Sequence, residues 1–151
     1  MAGLEQFLEI GRITEEVKVL GREIAMKVLS SGEQQETLEA TLNLDDLARG
    51  NKLMLETLAR AIVSINGVKV QYRDANENIL DRRETIRRNG KLLEETPFPV
   101  ISELWTAYQN LVEKQSAKIE QLKKVQTSSG PEASGEPLRQ SVSKKSFPST
   151  Q

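Results

Sequence analysis

The stretch Ile10-Gly-Arg-Ile-Thr-Glu-Glu-Val-Lys-Val-Leu-Gly-Arg-Glu-Ile-Ala-Met-Lys-Val-Leu29 decides how this chain begins to fold. Val17 and Val19 alternate with charged neighbours, and after a break at Gly21-Arg22 the residues Ile24, Met26 and Val28 do the same. Successive side chains of a strand point to opposite faces, so this alternation around a glycine predicts a β-hairpin over residues 10–29. Two strands alone are marginal in water, which requires the apolar face of the hairpin to pack on something else.

The partner for that face is sought downstream, where the pattern turns helical. Ser30 and Glu33 have the spacing of a capping box, predicting a helix of roughly ten residues with Leu38 and Leu42 four apart on one face. Asp45 and Asp46 open a second helix, since carboxylates favour the positive end of the helix dipole. Its apolar stripe is Leu47, Met54, Leu55, Leu58, Ala61, Ile62 and Ile65, broken at Gly50-Asn51. Asn66-Gly67 predicts a turn before Val68-Lys69-Val70. The run Ile62–Ile65 reads equally as a helix end or a short strand. The charged segment 73–91 predicts a weak surface helix ending near Asn89-Gly90. Pro97 and Pro99 then start a helix of about 25 residues carrying Val100, Ile101, Leu104, Trp105, Tyr108, Leu111, Val112, Gln115, Ile119 and Leu122 at three- and four-residue spacing.

Of the 151 residues, those from 126 onward include only Ala133, Leu138, Val142 and Phe147 as hydrophobic residues, and serine, threonine, glycine and proline supply 14 of that segment's 26. Such a segment buries too little apolar surface to offset its ordering entropy. The expectation is an α+β fold: an N-terminal β-hairpin packed on a mainly helical body with a long C-terminal helix. A single globular domain covers 1–125, and a disordered tail covers 126–151.

Composition excludes whole classes of chemistry. The chain has no histidine and no cysteine. Ser-His-Asp and Cys-His catalysis, disulfides and every Cys/His zinc site are therefore ruled out. The opening Met1–Ile10 has neither a basic region nor a long apolar run, which predicts no signal peptide. No stretch reaches the length of a membrane span. A net charge of −1 argues against a protein built around nucleic acid. The expectation is a soluble, near-neutral intracellular protein, with no cofactor and no enzymatic activity.

Four constellations invite a functional reading. Asp74-Ala-Asn76-Glu-Asn78 begins like a calcium loop, but Ile79 stands where the turn needs glycine and Thr85 where the final ligand needs glutamate. Asp45-Asp46 is one carboxylate pair, too few oxygens for a divalent ion, and helix-start chemistry accounts for it. Arg82, Arg83, Arg87 and Arg88 with Lys91 form a basic cluster offset only by Glu84. It reads as a solvated face, a dock for an acidic protein or a phosphate contact. Trp105 and Tyr108, in the middle of the long stripe, read either as core or as a face that grips a partner helix.

The segment Ile10–Glu33, closing on Lys27-Val-Leu-Ser-Ser-Gly-Glu33, resembles the opening of small tail assembly chaperones of tailed bacteriophages. Leu58-Ala-Arg-Ala-Ile-Val-Ser-Ile-Asn-Gly67 is similar to their helix running into a short turn. The resemblance covers about residues 8–125, and related baseplate-hub assembly proteins share the same plan. It implies a non-enzymatic assembly factor acting in the host cytoplasm during infection, or carried into the virion. Its implied partner is a helical tail protein such as the tape measure protein, with self-association open and no membrane. The residues taken as the partner surface are Trp105, Tyr108 and Leu111 on one helix with Met54 and Leu58 opposite. A structural component of the baseplate or head-tail connector is the alternative, and a nucleic-acid or regulatory adaptor using Arg82–Arg88 is the alternative of another class.

Overall fold

The computed structural model describes residues 3–10 and 12–128. It is an α+β fold whose N-terminal strands belong to a four-stranded antiparallel sheet and whose helices make up most of the body. After a 3₁₀ turn at Leu4–Phe7, β1 (Thr14–Val19) and β2 (Arg22–Lys27) form the expected hairpin, with Val17 opposite Ile24 and Val19 opposite Arg22. The alternation does what it predicts: Val19, Ile24 and Met26 are buried on one face. The ambiguous run resolves as strand β3 (Ile62–Ile65), which turns at Asn66-Gly67 into β4 (Val68–Lys69). The sheet order is β1-β2-β3-β4, with a register shift opposite Ala25 and Met26.

Helix α1 (Ser31–Glu39) starts on the predicted box: the Glu33 amide donates to Ser30 Oγ at 3.2 Å and the Ser30 amide donates to Glu33 Oε1 at 3.0 Å. Its buried face is not the predicted one. Leu38 and, beyond the helix end, Leu42 are exposed, and Glu33 and Thr37 of the helix, with Thr41 in the turn after it, are buried instead. The polar set has the same four-residue spacing as the leucines. It tolerates burial because Thr37 and Thr41 donate their hydroxyls to Gln34 O and Leu38 O at 2.7 and 2.9 Å. Helix α2 (Asp46–Ala61) is capped by Asp45, whose Oδ1 accepts from the Ala48 amide at 2.9 Å. It passes through Gly50-Asn51 without a break, and Leu47 at its start is exposed.

Helix α3 (Arg82–Glu94) also runs past its expected end, because Asn89-Gly90 lies inside it. An asparagine promotes a turn when its side chain bonds its own neighbouring backbone. Here Asn89 is buried, and its Nδ2 donates across to Ala59 O of α2 at 3.1 Å. Helix α4 (Phe98–Ser128) is longer than the predicted 25 residues, at 31. The chain divides into two units, Met1–Gln115 and Ser116–Gln151. The first three positions of the expected 126–151 tail continue α4, and the rest lie outside the described residues.

The core of the first unit joins Val19, Ile24, Met26 and Leu29 of the hairpin to Leu58 and Ala61 of α2 and Ile101, Leu104, Tyr108 and Leu111 of α4. This is the cover the hairpin required. Tyr108 is buried with a polar tip, and its hydroxyl oxygen accepts the Leu29 amide at 3.3 Å, just where β2 ends.

Candidate functional site

An apolar cleft of about 370 Å³ opens beside this core. One wall is the tip of the β1–β2 hairpin, with Val19, Leu20 and Arg22; Ile62 and Ile65 of β3 and the following Val70 and Tyr72 continue it. The other wall is Leu92 and Leu93 of α3, Thr96, and Val100 of α4, while Ile24, Leu58 and Leu104 form the floor. Leu20, Ile65 and Leu92 stand exposed at the cleft, with Leu20 63% accessible. Size and lining match a pocket that buries apolar groups around a few fixed polar ones.

Those polar groups are largely engaged with one another. The Tyr72 hydroxyl donates to Asn89 Oδ1, and Asn89 in turn donates to Ala59 O. The Arg88 guanidinium lies 5.3 Å from the centre of the Tyr72 ring, a cation–π arrangement. Burial pushes the Tyr72 hydroxyl above its usual range, with the Arg88 charge acting weakly the other way. Tyr72 is thus held from both sides as a wall of the cleft.

A second arrangement, of charges, gathers at the N-terminal end of α3, around Arg82. Glu33 is its hub, accepting from Lys27 Nζ of β2 at 2.7 Å and from Arg82 Nη2 of α3 at 3.1 Å. Glu36 accepts from Arg60 Nε at 3.0 Å and from Arg82, and Arg60 also reaches Glu56 Oε1 at 2.7 Å. Burial would raise the Glu33 carboxyl, but the hydrogen bonds from Lys27, the Ser30 amide and Arg82 outweigh it and lower its pKa to about 2. Hydrogen bonds from Arg60 and Arg82 lower Glu36 as well. These charges tie α1 to β2, α2 and α3.

The sequence-marked residues divide between these places. Leu58 is in the floor of the cleft, and Met54 lines a smaller depression of about 230 Å³ beside Leu55, Leu93 and the exposed Phe98. Tyr108 and Leu111 are buried in the core, where only an opening of the fold would present them to a partner. Trp105 is half-buried and stacks on Tyr108 with ring centres 5.5 Å apart. The five residues therefore do not form one surface. The basic cluster is largely engaged: Arg82 pairs with Glu33 and Glu36, Arg87 with Glu84 at 3.0 Å, and Arg88 covers Tyr72. The Asp74 carboxylate accepts the amides of Asn76 and Asn78 at 2.8 and 3.0 Å, closing its own loop. Among the described residues no group of acidic side chains could hold a metal ion, and no helix is long and apolar enough to cross a membrane.

Sequence reading missed Leu20, Ile65, Val70 and Leu92 as site residues. One signal was available at Leu20: a bulky aliphatic residue sits immediately before Gly21, where a tight hairpin favours asparagine or aspartate. Helical or strand periodicity cannot group the other three, because Ile65 lies in β3, Val70 follows β4 and Leu92 lies in α3. No known protein family matches the sequence, and no curated protein or solved structure is detectably similar to it.

Proposed function

We propose that the protein is a non-enzymatic binding module that receives apolar side chains of a helical partner in the cleft between the hairpin tip and α3. The observation that carries this reading is the cleft itself, a roughly 370 Å³ trough with exposed leucine and isoleucine on its walls and aliphatic side chains on its floor. A fully buried leucine or isoleucine contributes about 1.5–3 kcal/mol, so two or three such side chains from one helix face would give useful affinity. The resemblance to phage tail assembly chaperones gives the partner a class: a long helical tail protein such as the tape measure protein, held soluble until the tail assembles. The alternative, a stoichiometric baseplate or connector component, would use the same cleft permanently rather than transiently.

The test is affinity capture with tagged protein from infected cells, with purified virions assayed in parallel. Wild-type protein should recover a long helical tail protein, and Leu92→Asp, on the exposed wall, should lose it while keeping a native circular dichroism spectrum. Equal recovery by Leu92→Asp would place binding outside the cleft. Stoichiometric presence in virions would favour the structural component over the chaperone.

A further inference from the structure

We propose that the protein pairs with a second copy of itself through the free edge of β1, antiparallel and centred on Val17, so that the two four-stranded sheets become one. β1 is the outermost strand. The Val28 amide donates to Ile13 O at 3.2 Å, and this fixes the phase of the ladder. Bonded positions alternate in an antiparallel pair, so Ile13, Glu15, Val17 and Val19 turn their backbone groups toward β2, while Thr14, Glu16 and Lys18 turn theirs outward. Among the described residues, no backbone hydrogen bond reaches those outward groups.

Charge on an edge strand ordinarily discourages pairing. The order Glu16-Val17-Lys18 does the opposite in one register. With Val17 opposite Val17 of the copy, Glu16 faces Lys18 and Lys18 faces Glu16, and both are positions whose backbone is free to bond. A two-fold axis at Glu16 would set Glu16 against itself, and one at Lys18 would set Lys18 against itself; like charges directly opposite are destabilising. The sequence therefore selects the Val17 register. Glu16 and Lys18 are exposed, and Lys18 stands across from Glu23 of β2 beyond ion-pair distance, leaving both side chains available for the copy. The inference rests on the backbone edge and charges of β1 and not on what the cleft receives, so it does not depend on the proposed function, although Val19 and Leu20 at the strand's end also line the cleft.

Sedimentation equilibrium of the full chain over a concentration series tests it. Wild type should show a monomer–dimer equilibrium. Glu16→Lys and Lys18→Glu should each weaken the dimer about tenfold or more, since each replaces two attractive pairs by repulsive ones. The double swap E16K/K18E restores opposite charges in the same register and should restore the dimer. Lys18→Pro removes an outward amide without removing a bond to β2, so it should abolish the dimer and keep the fold by circular dichroism. A wild type that stays monomeric throughout would overturn the proposal. So would a dimer that Lys18→Glu leaves unchanged or the double swap fails to restore.

Discussion

Leu20 and Asn66 occupy equivalent places in two tight turns. The pairs Leu20-Gly21 and Asn66-Gly67 both have positive φ at both residues, 52° and 82° in the first and 51° and 81° in the second. Asparagine tolerates this left-handed region, and Asn66 also uses it: its Oδ1 accepts the Glu23 amide at 2.9 Å. Leucine gains no such bond and carries the steric cost of its Cβ. Leu20→Asn should therefore raise stability by about 0.5–1 kcal/mol, seen as a higher urea midpoint with unchanged slope. The same substitution removes an aliphatic wall from the cleft. Strain retained at the cleft wall is the pattern expected when the side chain serves the contact proposed for that cleft rather than folding.

At the scale of elements, the helix starts were legible because capping is local chemistry: Ser30 with Glu33, and Asp45, act within one turn. The buried face of α1 was not, because Glu33 is suitable for burial only through Lys27 and Arg82, residues on other elements. Asn89-Gly90 misled for the same reason, since its turn-forming amide was already committed to Ala59 and Tyr72. The Glu33 hub has a pH signature. Its carboxyl falls from an ordinary 4.5 to about 2 in the fold, so its stabilisation is complete above pH 4.5 and is lost as pH falls through 2. Glu33→Gln keeps a capping side chain but loses the charge, and should cost about 1–2 kcal/mol at neutral pH. In urea titrations the difference between wild type and Glu33→Gln should shrink steadily between pH 4.5 and 2.

At the scale of the whole molecule, the α+β plan could be read from periodicity, because a hairpin and four amphipathic or capped helices each announce themselves over a short window. The cleft could not, since it exists only after the hairpin tip, β3, α3 and α4 are brought together. The long helix shows the limit of periodicity most directly: Leu111 and Leu122 belong to one apolar stripe, yet Leu111 is 1% exposed and Leu122 46%. Leu111→Ala should cost about 2–5 kcal/mol in urea unfolding, whereas Leu122→Ala should stay within about 0.5 kcal/mol.

The two Asn-Gly pairs also set how this protein ages. Deamidation begins when the amide nitrogen of the following residue attacks the asparagine side-chain carbonyl, expels ammonia and closes a succinimide ring that water then opens, and the attack needs a backbone free to bend. Asn89 is buried within α3 with its amide committed on both sides, so its ring closure is blocked as long as the fold holds. Asn66 lies at an exposed turn between two short strands and should convert before Asn89, which peptide mass mapping of aged protein would read. Its product is an aspartate or isoaspartate beside Glu23, a new negative charge at the point that registers β2 against β3. Stored protein should therefore gain acidic charge at this hairpin before the helix carrying the same dipeptide does.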